Sequence, residues 1–290
     1  MWTQYYGRYG DLADKANFER CLGALMQNKH IALLGTDPER IRKEFLEGEA
    51  GYARLFGLIH MQNAERNGKS RWGDQLGSIE RYADELFNAF PRARMIHMVR
   101  DPRSRYAASL QSSGNKRIKL GRETMRWLES VKLLRRNQQR YPGRYLGVRY
   151  EQLLAEPEQT LKEICAFIHE DYISDMVNSA NIAALMRIND TADDAEDESE
   201  SEGEPQQVND FSERNTSERN TNVTQRAIAF IQRAAKSEMV GLGYALEKQH
   251  FSPYEWLLYY LVDWPTGWAG MAMTPSFDSK YMPGSEGTKR

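Results

Sequence analysis

A short strand followed at once by a helix start, Met95–Arg103, constrains the fold of this chain more than any other feature. Met95–Val99 is a mostly apolar run of the length of a buried strand. Asp101 can cap a helix whose first turn holds Pro102. Arg100 therefore ends the strand, where its planar guanidinium and the helix N-terminus are suited to a phosphate. A structural Arg–Asp pair is the alternative interpretation of the same residues.

The segments around this junction predict an α/β protein. The chain before residue 90 has apolar residues at helical spacing. A long helix is predicted at Gly121–Arg140, a second strand at Tyr145–Val148, and a further helix opens at Pro157. Strands that alternate with helices are typical of a parallel sheet with covering helices.

Composition favours a cytoplasmic protein. The chain has 290 residues and two cysteines, Cys21 and Cys165, which lack the spacing of metal ligands or of a disulfide framework. The N-terminus lacks the pattern of a signal peptide. No run approaches the roughly 18 apolar residues of a spanning helix. We therefore predict no metal site and no transmembrane segment.

Charge is distributed unevenly along the chain. Bases greatly outnumber acids between Pro91 and Tyr150, whereas Asp190–Glu204 is strongly acidic and contains no base. A basic middle indicates an anionic ligand, or otherwise the solvated face of surface helices. No nucleic-acid-binding module accompanies these bases, so we predict no nucleic-acid partner.

The same patterns predict a domain of residues 1–250 and an aromatic C-terminal tail of residues 251–290. Within the domain, residues 190–222 are predicted to form a flexible acidic insertion, because they have too little apolar content to repay the entropy of ordering. The tail has two interpretations: a helix docked on its own domain, or a surface for a membrane or a partner.

Four segments resemble sulfotransferases of the bacterial type that use 3′-phosphoadenylyl sulfate (PAPS). They are Arg71-Trp72-Gly73-Asp74, Arg94–Arg103, Tyr145–Leu153 and Met239–Tyr244. The resemblance implies a three-layer α/β sandwich with a parallel sheet of the P-loop NTPase kind. It also implies that Arg100 and a serine of the following helix hold the 3′-phosphate of PAPS, and that Tyr150 lies near the adenine.

The chain departs from the family pattern at three places. The family's serine falls at Ala108, which leaves Ser109 as the candidate, one residue further along the helix. Gln75 stands where many bacterial members have a lysine. The first strand and its phosphosulfate-binding loop are not recognisable, so the resemblance is to an N-terminally shortened member without an identifiable catalytic base.

Two functions are compatible with these observations. One is transfer of a sulfuryl group from PAPS to the hydroxyl or amine of a small-molecule, carbohydrate or lipid acceptor. The other is a non-catalytic nucleotide-binding or interaction protein that retains only the site for the 3′-phosphate. Because the phosphosulfate loop is not recognisable, the sequence leaves both open, and it indicates neither the acceptor nor the oligomeric state.

Overall fold

The computed structural model describes residues 5–110, 116–178 and 223–274. These residues divide into two compact units, one within Met1–Ala93 and one within Arg94–Phe277. The predicted acidic insertion at 190–222 lies outside the described residues, as does the part of the aromatic tail beyond residue 274.

The first unit is helical, as the apolar spacing predicts. Its helices are α1 (Lys15–Gln27), α2 (Lys29–Leu33), α3 (Pro38–Phe45), α4 (Tyr52–Arg66) and α5 (Ala83–Ala89), with a 3-10 turn at Ile79–Tyr82. The side chain of Asp37 caps α3 by accepting from the amides of Glu39 and Arg40. Phe18 and Phe45 stack with their ring centroids 4.2 Å apart in the centre of the core. Cys21 is a free, buried thiol of this core.

The second unit contains both described strands. Its elements are β1 (Met95–Val99), α6 (Pro102–Ser109), α7 (Lys116–Arg140), β2 (Tyr145–Arg149), α8 (Tyr150–Ala155), α9 (Pro157–Ile168), α10 (Gln225–Ala234), α11 (Lys236–Gly241), α12 (Pro253–Leu258) and α13 (Trp264–Ala272). A 3-10 turn follows α9 at Ser174–Val177, and a π-helical turn joins α12 to α13 at Tyr259–Asp263. The predicted α/β organisation is confirmed.

The two strands form a parallel sheet in which Met95 pairs with Tyr145 and Val99 pairs with Arg149. Helix α7 lies between the two strands in the sequence and contributes side chains to the core. Its residues Trp127, Val131 and Leu134 are each at most 3% exposed. The prediction of a buried β1 holds for one face only. His97 and Val99 are buried, whereas Ile96 and Met98 on the opposite face are each 37% exposed.

The described part of the aromatic tail docks on its own unit, which confirms the first of its two interpretations. Helix α13 lies against α7 at a point where both helices carry glycine. A Cβ atom on Gly121 would stand 1.8 Å from the carbonyl oxygen of Gly267, and one on Gly270 would stand 2.4 Å from the carbonyl oxygen of Ile118. Only glycine therefore permits this backbone-to-backbone approach.

Tyr106 makes the stability of the fold sensitive to alkaline pH. The ring is buried, its hydroxyl donates to the carbonyl of Lys116, and burial raises the pKa of Tyr106 from 10.0 to about 12. Because the pKa is higher in the folded chain, this contribution to stability is complete below pH 10 and is lost as the pH rises towards 12. At pH 11 the loss is about 1.4 kcal/mol.

The variant Tyr106→Phe tests this contribution. It loses about 1 kcal/mol at pH 7, because one hydrogen bond is removed. Its further loss of stability between pH 7 and pH 11 is expected to be smaller than that of the unmodified chain by about 1.4 kcal/mol, since the titrating group is gone. Urea unfolding at the two pH values measures both quantities, and equal alkaline losses in the two proteins contradict the assignment to Tyr106.

Candidate functional site

The side chain of Arg100 is held at the carboxyl end of β1 and lies over an aromatic ring. Its guanidinium carbon lies 4.8 Å from the centre of the Tyr150 ring, and Tyr150 is the residue that follows β2. The backbone carbonyl of Arg100 accepts a hydrogen bond of 2.9 Å from the Trp127 indole. Two of the three predicted site residues, Arg100 and Tyr150, therefore come together because their strands are parallel and in register.

The structural Arg–Asp pair of the alternative interpretation is present, but it uses Arg103 and leaves Arg100 outside it. The carboxylate of Asp101 caps α6 by accepting from the amide of Arg103 and pairs with the guanidinium of the same residue, with an Nη2–Oδ2 distance of 2.5 Å. Arg103 also donates to Gln232 and Glu247. Among the residues that the structure describes, no carboxylate lies within ion-pair distance of Arg100.

A second polar contact fixes the ends of both strands. The Glu151 carboxylate accepts from the amide of Asp101 at 2.7 Å and from the hydroxyl of Tyr244 at 3.0 Å. Burial and the neighbouring Glu151 carboxylate raise the pKa of Tyr244 well above its usual range, so the hydroxyl stays protonated and donates. Arg149, the last residue of β2, lies over the Tyr244 ring at 4.6 Å.

Local backbone geometry brings Tyr244 to this position. Helix α11 ends at Gly241, and Gly243 adopts a φ of +79° in the left-handed region, which glycine tolerates without strain. The amide of Tyr244 then donates to the carbonyl of Met239 at 2.9 Å, the hydrogen bond of a Schellman C-cap. The chain is thereby turned so that the Tyr244 ring packs against the strand ends.

Ser109, the third predicted site residue, is the last residue of α6. Its hydroxyl donates to the carbonyl of Tyr106 at 2.7 Å, and its own carbonyl accepts from the Lys119 ammonium at 2.8 Å. No hydrogen bond joins the Ser109 hydroxyl to Arg100 in this structure. Ser109 ends α6, whereas Arg100 precedes Asp101, the cap at the start of that helix.

His97 is a core residue, as its position inside a strand predicts. Its Nδ1 lies 2.7 Å from the Tyr145 hydroxyl and its Nε2 lies 2.9 Å from the Ser130 hydroxyl. The ring is 8% exposed. Within the described ranges, histidine, cysteine and acidic side chains form no group of three or more that could hold a metal ion.

Sequence reasoning missed the residues that support Arg100. Glu151 directly follows Tyr150, and Tyr244 ends the fourth segment of the family resemblance, but nothing in their spacing indicates that they touch. The role of Arg103 was likewise hidden, because its partners Gln232 and Glu247 lie far along the chain.

The variant Tyr244→Phe is expected to lower the free energy of unfolding by about 1–3 kcal/mol, since it leaves a partly buried oxygen of Glu151 without its donor. Urea unfolding at pH 7 measures the change. The matched control is Tyr260→Phe, which removes an exposed hydroxyl bonded to Arg233 and changes stability by less than about 0.5 kcal/mol. Equal effects of the two substitutions contradict the supporting role of Tyr244.

The geometry around Arg100 indicates the class of protein to which the chain belongs. A guanidinium at the carboxyl edge of a parallel sheet, beside a helix start, is typical of α/β proteins that bind phosphorylated ligands. The family model described as "Sulfotransferase family" matches residues 14–174, more than half of the 290 residues. This chain belongs to the sulfotransferase family, which confirms the predicted resemblance at the level of the family.

No curated protein and no solved structure matches the chain. In the part of the chain that the structure describes, no helix is both long enough and apolar enough to cross a membrane.

Proposed function

We propose that this chain binds PAPS through Arg100 and transfers its sulfuryl group to a hydroxyl or amine of a small-molecule, carbohydrate or lipid acceptor in the cytoplasm. Membership of the sulfotransferase family supports sulfuryl transfer. The acceptor oxygen or nitrogen attacks the sulfur of PAPS in line, so that a new S–O or S–N bond forms as adenosine 3′,5′-bisphosphate leaves, and a base takes up the proton of the acceptor. The proposal includes a sulfotransferase domain of the bacterial type at residues 1–250, followed by the tail of residues 251–290. The fold of this domain is a three-layer α/β sandwich with a parallel, P-loop-like sheet.

The observation that carries the proposal is the positive charge of Arg100, whose side chain is held on the Tyr150 ring. The guanidinium rests on the Tyr150 ring at 4.8 Å and has no carboxylate partner among the described residues. Neighbouring acids are already engaged, Asp101 by Arg103 and Glu151 by Tyr244. A guanidinium without a carboxylate partner at a strand end fits the 3′-phosphate of a nucleotide. Two phosphate oxygens can each accept a hydrogen bond from one of the two parallel N–H groups of the guanidinium.

Tyr150 and Ser109 complete the proposed nucleotide contacts with different roles. The Tyr150 ring is 7% exposed and supports Arg100, so we propose that it orients the guanidinium beside the adenine. We propose that the Ser109 hydroxyl, which now donates to the carbonyl of Tyr106, turns to the phosphate when the nucleotide binds.

The alternative, nucleotide binding without transfer, is favoured by a different observation. Neither described strand leads into a glycine-rich loop, because β1 is followed by Arg100-Asp101-Pro102 and β2 by Tyr150-Glu151-Gln152. Backbone amides of such a loop are what a phosphosulfate needs to offset its charge. The described residues therefore offer a candidate site for the 3′-phosphate, but neither described strand is followed by a glycine-rich loop for the phosphosulfate.

Two measurements on the full chain separate these functions. Adenosine 3′,5′-bisphosphate is expected to raise the melting temperature, by mass action on the folded state. Transfer of labelled sulfate from PAPS to a panel of phenols, sugars and amines then distinguishes an enzyme from a binding protein. Binding with transfer supports the enzyme, and binding without transfer supports the alternative. Absence of any stabilisation by the nucleotide overturns both.

A further inference from the structure

A cluster of three arginines surrounds one buried carboxylate between α6 and α7. Glu123 on α7 has a side chain that is 9% exposed, and its oxygens lie 3.5 Å from Arg105 Nε, 3.6 Å from Arg122 Nε and 3.3 Å from Arg126 Nη1. Arg105 comes from α6, whereas the other two lie on α7. We refer to these three guanidiniums as the arginine cluster.

Glu123 holds the three guanidiniums together but does not accept hydrogen bonds from the Nε atoms of Arg105 and Arg122. Distances of 3.5 and 3.6 Å exceed those of an N–H···O hydrogen bond. The Nε atoms of Arg105 and Arg122 are shielded from solvent and have no hydrogen-bond acceptor. Glu123 is also the sole described acid within ion-pair distance of either arginine. Arg105 and Arg122 thus share the single carboxylate of Glu123 with Arg126, and a buried donor without an acceptor is unfavourable.

We propose that the arginine cluster binds an oxyanion, a phosphate or sulfate that is free or carried as an ester. The guanidinium is suited to such a group, because its planar fork matches two oxygens at once. The side chains of Arg105 and Arg122 are 31% and 37% exposed, so a ligand reaches them from solvent. The ligand supplies the missing negative charge.

The cluster adjoins the strand end that holds Arg100. Glu123 and Trp127 lie about one helical turn apart on α7, and the Trp127 indole donates to the Arg100 carbonyl. Two sources of the anion are therefore consistent with the placement. It belongs either to the nucleotide that Arg100 contacts or to an acceptor that carries its own acidic group.

Titration calorimetry with inorganic phosphate tests the site, and the variant Arg100→Gln isolates it from the nucleotide site. In that background phosphate is expected to bind saturably. Adding Arg105→Gln and Arg122→Gln is expected to weaken binding at least tenfold. The matched control is Arg135→Gln, a half-exposed arginine of α7 that stands 4.0 Å from Glu238, and it leaves the affinity unchanged. Sodium chloride at equal ionic strength corrects for screening.

The proposal is wrong if phosphate shows no saturable binding in the Arg100→Gln chain, or if loss of Arg105 and Arg122 leaves its affinity intact. Should the double substitution unfold the chain, as circular dichroism would show, the single variant Arg122→Gln at the helix surface replaces it. None of these outcomes depends on PAPS, because failure of the proposed function appears instead as lack of nucleotide binding by the unmodified chain.

The nucleotide also identifies the source of the anion. Adenosine 3′,5′-bisphosphate is titrated into the Arg105→Gln, Arg122→Gln chain with Arg100 intact. An affinity at least tenfold weaker than that of the unmodified chain assigns the cluster to the nucleotide. The cluster is assigned to the acceptor by two results together. The double variant binds the nucleotide with unchanged affinity, and the cluster of the unmodified chain still binds phosphate when the nucleotide is saturating.

Discussion

Replacing Arg100 with glutamine is expected to weaken the binding of adenosine 3′,5′-bisphosphate by about 100-fold. Loss of a charged partner from a phosphate costs about 2–3 kcal/mol or more, which corresponds to this change in affinity. Arg100→Lys keeps the charge but loses the planar fork, so its affinity is expected to fall between those of the glutamine variant and the unmodified chain. Titration calorimetry of the three proteins measures the series.

The Arg100 substitutions leave the fold intact for a specific reason. The hydrogen bond from Trp127 uses the backbone carbonyl of residue 100, and the buried ion pair of this junction uses Arg103. The side chain contributes the contact over Tyr150, worth about 0.5–1 kcal/mol at a partly exposed site. The control Arg135→Gln removes a cation elsewhere in the same unit. If Arg100→Gln binds the nucleotide as tightly as this control, Arg100 is not part of the site.

The variant Gly121→Ala is expected to lower the free energy of unfolding by about 3 kcal/mol. Its Cβ would stand 1.8 Å from the backbone oxygen of Gly267, so α7 and α13 must separate. A change of this size lowers the melting temperature by roughly 10 °C. Urea unfolding and thermal melting followed by circular dichroism measure the two quantities.

Gly23→Ala is the matched control, because Gly23 lies in an α-helix and a Cβ there meets nothing within 4 Å. This substitution is expected to stabilise the chain by about 0.5–1 kcal/mol, since alanine favours helices and loses less entropy on folding. A Gly121→Ala chain as stable as the unmodified one shows that α13 does not dock on α7 in solution.

Local chemistry explains why some elements could be predicted. The apolar run of β1, the cap of Asp101 and the proline at Pro102 act within a few residues, and the structure has the strand and the helix at the predicted positions. The helix predicted at Gly121–Arg140 is present but begins earlier, at Lys116. Periodicity defines an element more securely than its ends.

The candidate site was predictable only in part. The strand end indicated Arg100, and the family resemblance added Tyr150; the two meet because parallel strands bring their carboxyl ends to one edge of a sheet. The pairing of Asp101 with Arg103 in preference to Arg100 depends on packing, because both arginines are close to Asp101 in sequence. The resemblance likewise suggested a role for Ser109, whereas the structure has its hydroxyl bonded to the carbonyl of Tyr106.

The sequence by itself determined the α/β class, the sulfotransferase family and the position of Arg100 at a strand end, because each depends on neighbouring residues or on short motifs. Only the tertiary structure decided that Arg100 has no carboxylate partner among the described residues, and that Glu123 gathers three arginines. It also decided that Glu151 and Tyr244 join the two strand ends. Such contacts join residues that are distant in the chain, and their strength depends on burial, which no local pattern records.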